Sequence, residues 1–154
     1  AHGAEVIVIS GDDAKLARAR ELGATHGINR ISQDWVEAVY DRTDDRGADH
    51  ILEIIGGAHF NRSLEAAAVG GRVSLVGILA GYEVSGQIAH LARKKLTIDG
   101  IQVGHRRALE DFVQAVDRTG LTPVVAAEYT LDDLPAALDH LERGPFGKVV
   151  VRMN

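Results

Sequence analysis

The sequence predicts an α/β protein built on a mostly parallel, doubly wound sheet. Three observations carry this. Short β-branched apolar runs recur along the chain, Val6, Ile7, Val8 and Ile9 being the first, and such runs suit strands covered on both faces. Each run is followed by a polar or glycine-rich turn and then by apolar residues at helical spacing. The stretch from Glu5 to Asn29 already holds one strand–turn–helix–strand unit, the repeat from which parallel α/β sheets are built.

Within that unit, Ser10, Gly11, Asp12 and Asp13 end the strand. Asp12 or Asp13 is placed to cap the helix by accepting from its first free N–H groups. Leu16, Ala19 and Leu22 give the helix a core face, and Gly23 stops it. Upstream, Ala1 to Ala4 reads as a helix end with Gly3 as its stop. Ser32 or Asp34 then caps a short helix, Trp35 to Arg42, with Val36, Val39 and Tyr40 as apolar contacts. Thr43 to Gly47 is a polar loop. Ala48 to Ile55 is a strand closed by Gly56-Gly57. Phe60 to Val69 is expected to be helical, with Leu64, Ala67 and Ala68 on one face and Gly70-Gly71 as its stop. Arg72 to Val76 is the next strand.

Beyond it, Gly77, Gly81 and Gly86 make the chain irregular, with Tyr82 to Ser85 as a short edge strand. Ile88 to Lys95 is a helix whose basic end, Arg93-Lys94-Lys95, suits the negative end of the helix dipole. Leu96 to Val103 is a strand. Leu109 to Arg118 is a helix with Phe112, Val113 and Val116 turned inward, stopped by Gly120 and blocked by Pro123. Val124 to Thr130 is a strand. Asp132 is placed to cap a last helix that carries Pro135 in its first turn, and Lys148 to Arg152 is the final strand. The one soft boundary, near Gly120 to Pro123, divides the chain into 1–122 and 123–154.

The 154 residues suffice for a real core, and 45% apolar with 25% charged residues is the balance of a globular protein. The net charge of −5 and the lack of a basic block argue against nucleic acid as a partner. No apolar run reaches membrane-span length, and no leader is visible, so no membrane partner is expected. With no cysteine there are no disulfides and no cysteine-ligated metal in this chain, which fits a cytoplasmic protein. The seven histidines, His2, His26, His50, His59, His90, His105 and His140, form no metal-binding spacing. No nucleophile motif appears either. The reading therefore names no catalytic residue and no metal ligand.

Several stretches carry a resemblance. VIVISGDDAKLARARELGATHGIN, then ADHILEIIGG, GGRVSLVGILAG, KKLTIDGIQVG and a closing FGKVVVRM occur in the order found in medium-chain, zinc-type alcohol dehydrogenases and their quinone-reductase relatives. The chain resembles the C-terminal, cofactor-domain portion of that superfamily over essentially its whole length. This implies a Rossmann-type sheet that lacks its first strand and the GxGxxG helix, since no such fingerprint is present. The strands at Val6 and Ile51 must then either pair directly or leave edges unpaired. It also implies that residues 1–122 are a partial dinucleotide-binding domain. Val124 to Asn154 would be the return into an absent N-terminal catalytic domain, and any zinc would be held by residues outside this chain.

In doubly wound sheets, ligands lie beyond the carboxyl ends of the strands. Ser10 follows the first strand, where an acidic residue would accept from a ribose 2′-hydroxyl and repel a 2′-phosphate. Ser10 is not acidic, and the resemblance places Lys15 near the same ribose. Both favour NADP, while Asp12 and Asp13 lean toward NAD. The resemblance further implies that Ile54, Ile55 and Gly56 flank the adenosine. Main-chain groups at Val76, Gly77, Ile78, Ile101 and Val103 would meet the nicotinamide, with Gly77 allowing close approach. Lys148 would lie near ribose or pyrophosphate. Glu53, among aliphatics in HILEII, is either a hydrogen-bonded structural group or a site group.

The intact protein is accordingly expected to be an NAD(P)-dependent oxidoreductase acting on a small carbonyl, alcohol or enone, and the chain alone to be inactive. Its relatives' dimers imply self-pairing of the Leu96–Val103 edge. Two alternatives remain at this point. One is a receiver-like signalling domain, which lacks its aspartate acceptor here. The other is a non-catalytic remnant of the fold.

Overall fold

A computed structural model describes residues 3–153. The chain divides into two compact units, one reaching to Gln102 and the other starting at Val103. Among the described residues every strand pair is parallel.

The first unit holds β1 (Ile7–Ser10), α1 (Asp13–Glu21), β2 (His26–Asn29), α2 (Trp35–Asp41), β3 (Ala48–Glu53), α3 (His59–Ala66), β4 (Ala67–Leu75), α4 (Ile88–Arg93) and β5 (Thr97–Gly100). β1 pairs with β2, and β3, β4 and β5 form a second sheet in that order. Among the described residues no strand joins β1 to β3, so both keep an open edge. That is the second of the two outcomes expected for a sheet without its central strand.

Helices lie on both faces, as a doubly wound sheet requires. Gly27 of β2 meets the Leu16 side chain of α1 on one face. On the other, Ile28 packs with Trp35, Val36, Ala38 and Val39 of α2, and Ile7, Ile9, Ala48 and Ile51 join the same cluster. One helix thus draws core from β1, β2 and β3. Ile51 also belongs to a second cluster with Phe60, Leu64, Ala67 and Val73. The caps are aspartates: Asp12 accepts from Ala14 and Lys15 N–H, and Asp34 from Val36 and Glu37 N–H. Ser32 and Asp13 are not the caps.

Several expected boundaries move. Ala1 and His2 lie outside the described residues, and Gly3 has φ of 75°. β3 ends at Glu53, leaving Ile54 and Ile55 in a loop. α3 stops at Ala66, so Ala67, Ala68 and Val69 are strand rather than helix, and Gly70-Gly71 lies inside β4 rather than after a helix. The cause is Lys94. Its Nζ lies 3.2 Å from Leu64 O, 2.5 Å from Glu65 O, 2.9 Å from Ala67 O and 2.8 Å from Tyr40 Oη. That ammonium satisfies the last carbonyls of α3 and closes it early. The glycines then serve a shift in register: Ala48 pairs with Ala67 but His50 with Arg72. A Cβ on Gly71 would stand 2.9 Å from Ala68 O and 3.2 Å from Ala48 O.

Tyr82 to Ser85 is not a strand; only Val84 makes a bridge, to Gly57. The expected strand from Leu96 to Val103 is paired only over Thr97–Gly100, where β4 supplies partners.

The second unit holds α5 (Arg106–Thr119), β6 (Val125–Thr130), α6 (Leu134–Glu142) and β7 (Lys148–Arg152). β6 and β7 pair in parallel, and α6 crosses between them. Gly120, with φ of 65°, ends α5 as expected. Phe112 and Val113 do not turn inward, being 64% and 49% exposed. Asp132 does not cap α6. It lies in a 3-10 turn, Leu131–Asp133, that leads into the helix, and Pro135 sits in the first helical turn. No helix among the described residues is long and apolar enough to cross a membrane.

Lys94→Ala is expected to cost about 1–3 kcal/mol of stability, because it strips a charged donor from several main-chain acceptors at once. Denaturant unfolding at neutral pH measures this.

Candidate functional site

The parallel strands of the first unit bring the loops after β1 and β2 together, and likewise those after β3, β4 and β5. At the first group, Ser10 lies opposite Asn29 in the ladder, and Arg30 N–H donates to Ser10 O at 3.0 Å. Ser10 Oγ accepts from Asp12 N–H at 3.2 Å. Both aspartates of this turn are engaged: Asp12 caps α1, and Asp13 accepts from Asn29 Nδ2 at 2.8 Å. Lys15 stands in the first turn of α1. Arg30 was not singled out from the sequence. Its guanidinium passes over the turn, 3.4 Å from where a Cβ on Gly11 would be. No signal in the sequence marked it: Arg30 comes one residue past the Ser10–Asn29 pair, level with Gly11, only in the register of β1 with β2.

The second group is organised by Glu53, the last residue of β3. It is 1% exposed. Oε1 accepts from Ile55 N–H at 2.7 Å and Gly56 N–H at 3.0 Å. Oε2 accepts from His59 Nδ1 at 2.9 Å and Ser63 Oγ at 2.5 Å. A carboxylate has no donor, so all four groups point at it. Burial pushes its pKa up, but the Ser63 hydroxyl, Gly56 N–H, His59 and Ile55 N–H outweigh this and hold it below the ordinary 4.5. The sequence left Glu53 open between structural and site roles; the structure shows a fully hydrogen-bonded anion. His59 in turn stacks on Trp35, with centroids 5.1 Å apart and planes at 17°. The Arg62 guanidinium lies 5.8 Å from the centroid of the Trp35 ring, and Arg62 pairs with Asp34. The Glu37 N–H bond, opposed by burial and aided by Arg62, holds Asp34 below its usual pKa.

The main chain of Glu53 ties the next loop in. Its carbonyl accepts from Val76 N–H at 2.8 Å and Gly77 N–H at 3.1 Å, and Ile55 O accepts from Ala80 N–H at 2.8 Å. Gly77 does make a close approach, to the chain itself: a Cβ there would fall 2.0 Å from Ile54 O. Ile54, Val76 and Ile78 remain 52%, 46% and 51% exposed, an apolar rim around this main chain, while Gly56 is buried. Ile101 N–H donates to Leu75 O at 2.9 Å, which holds it at the carboxyl end of β4. Val103 belongs to the second unit, as does Lys148, which opens β7 and donates its N–H to Val124 O at 2.8 Å. Among the described residues no group of three or more His, Cys, Asp or Glu side chains is placed to hold a metal ion.

The family model for zinc-binding dehydrogenases matches residues 1–120. The chain belongs to that family. A zinc-type alcohol dehydrogenase-like protein of Schizosaccharomyces pombe is 29% identical over 160 residues, covering 100% of this chain and 46% of its own length. An L-threonine 3-dehydrogenase of Pyrococcus abyssi is 32% identical over 155 residues, covering 97% of this chain and 44% of its own. A crystal structure from Sinorhizobium meliloti 1021, assigned as an alcohol dehydrogenase, superposes with a TM-score of 0.92 at 59% identity, over 98% of this chain and 44% of that one. The chain thus spans less than half the length of each. Membership displaces the receiver-like reading and agrees with the resemblance read from the sequence.

Two outcomes test this site. Gly77→Ala is expected to cost about 1–3 kcal/mol or more, because backbone, not a flexible side chain, blocks the new methyl; thermal unfolding reads it. Glu53 contributes stability above its unfolded pKa, and that contribution is lost as pH falls through its lower folded value. Unfolding free energy in the wild type should therefore drop through the acid range below 4.5, and the drop should be shallower in Glu53→Gln.

Proposed function

We propose that the intact protein is an NAD(P)-dependent oxidoreductase of the alcohol dehydrogenase or quinone and enone reductase type, and that this chain is its cofactor-binding part. The observation that carries the reading is the clustering of main-chain groups and exposed apolar side chains at the carboxyl ends of β3 and β4, in a chain of the zinc-binding dehydrogenase family. Ile54, Ile55 and Gly56 would flank adenosine. Val76, Gly77, Ile78, Ile101 and Val103 would meet the nicotinamide carboxamide, which needs an acceptor and donors in fixed places. Lys148 would reach ribose or pyrophosphate. The bound cofactor would supply hydride chemistry toward a carbonyl, alcohol or enone, and the chain's part is to bind and orient it. Residues 1–122 form the partial dinucleotide domain in this reading, and 123–154 the return toward a catalytic domain. Any zinc comes from residues outside the chain.

The preferred cofactor is NADP. Ser10 offers no carboxylate against a 2′-phosphate, Asp12 and Asp13 are held by the α1 N–H groups and Asn29, and the Arg30 guanidinium lies 3.4 Å from where a Cβ on Gly11 would be. A guanidinium there matches phosphate through charge-assisted hydrogen bonds. The partner in assembly is a second copy, joined through the Leu96–Val103 segment, where β5 is paired on one side only.

Nicotinamide-fluorescence titration of the full-length protein tests the reading, with NADPH bound more tightly than NADH. Arg30→Ala should weaken NADPH by about tenfold and leave NADH nearly unchanged. Binding of neither cofactor would overturn the function; equal loss for both would overturn the role of Arg30.

A further inference from the structure

We propose that Glu53 is a positioning residue for the cofactor: its buried carboxylate fixes the main chain of the two loops that would receive it. The inference rests on the cofactor reading above.

The position does not need an acid for packing. Glu53 ends a strand whose neighbours are aliphatic, and a leucine of similar volume would avoid desolvating a charge. Buried ion pairs replaced as a whole by packed apolar residues are often neutral or stabilising, whereas removing one partner strands the rest. What an apolar side chain cannot do is accept four hydrogen bonds in fixed directions. Oε1 takes two consecutive N–H groups, Ile55 and Gly56, which pins the turn directly after β3. Oε2 takes His59 Nδ1 and Ser63 Oγ, which locks that turn to the first two turns of α3. The carbonyl of the same residue holds Val76 and Gly77 N–H. One residue therefore sets the main chain of Ile55–Gly56 by its side chain and that of Val76–Gly77 by its backbone.

The turn would not hold this shape unaided. Gly56 and Gly57 both have positive φ, 74° and 55°. Glycine lowers the cost of that conformation but also leaves the unpinned loop many others. The carboxylate selects one. A ligand that uses these main-chain groups then meets them in place instead of ordering them on arrival, and preordering of this kind appears as affinity. Glu53 is 1% exposed, so its effect on a cofactor runs through the main chain of Ile55–Gly56 and Val76–Gly77.

The test uses the full-length protein and three variants. Glu53→Gln keeps the size but removes the charge and one acceptor, so Ser63 Oγ and His59 Nδ1 must turn from donors into acceptors or lose the bond. It should weaken cofactor binding by about tenfold, read as the dissociation constant for whichever of NADPH and NADH the wild type binds more tightly. Turnover at saturating cofactor should change by less than about twofold, because binding and not chemistry is affected. Lys94→Ala is the stability control: its ammonium bonds Tyr40 and the carbonyls of Leu64, Glu65 and Ala67, and neither loop. It lowers the melting temperature and should leave the dissociation constant unchanged, which separates loop positioning from general loss of stability. Glu53→Gln that folds and binds the cofactor as wild type does overturns the proposal. If that variant does not fold, Ser63→Ala decides: weaker binding supports the proposal and unchanged binding overturns it. A wild type that binds neither cofactor overturns the functional reading itself, an outcome distinct from either.

Discussion

A carboxylate taken out of water at the end of a strand has to be saturated with donors, and at Glu53 that requirement organises the surrounding structure. Two donors come from the loop that follows, one from a histidine and one from a hydroxyl on α3. The histidine is held in turn by its stack on Trp35, and Trp35 by α2 and the Arg62–Asp34 pair. A chain of contacts thus runs from the N-terminus of α2 to the loop after β3, and through the Glu53 carbonyl to the loop after β4. Each link is local, and the path needs no element outside the first unit.

The same unit shows how a sheet stays together without continuous pairing. β1 and β3 each keep an open edge, and Ile7, Ile9, Ala48 and Ile51 are joined through the α2 cluster instead of through a ladder. Apolar burial is non-directional, so it holds two sheet fragments against one helix where hydrogen bonding does not. Open parallel edges are an invitation to pairing. The sequence left open whether the strands at Val6 and Ile51 pair directly or keep free edges, and the structure takes the second course.

Much of the fold was legible in the residues. Strands stand out because parallel strands need apolar runs; β7 is read to the residue from KVVVR, and Asp34 and Gly120 mark helix ends by their chemistry. The errors have a common origin. Ala67, Ala68 and Val69 look helical after Leu64, and Gly70-Gly71 looks like a stop, but Lys94, nearly thirty residues away in sequence, closes the helix first. No local pattern carries that information. Phe112 and Val113 have the periodicity of a buried face and are exposed, because periodicity identifies an apolar face and not what covers it. At the proposed site, the rule of carboxyl ends singles out the loops after β1, β3 and β4, and those loops do follow strand ends in the structure. Arg30 was missed because it becomes relevant only through the register of β1 with β2, and Glu53 stayed undecided because its donors lie on a loop and a helix that sequence alone does not bring together.

The central claim, that the loops beyond β1, β3 and β4 receive a nicotinamide cofactor, is tested most directly by hydrogen–deuterium exchange of the full-length protein with and without NADPH. The account predicts added protection at Ser10–Lys15, Ile54–Gly57 and Val76–Ala80, with the segments around Arg30, Ile101–Val103 and Lys148 as the further places in this chain where protection rises. Protection elsewhere in the chain with the first three segments unchanged, under conditions where binding is saturated, would contradict it.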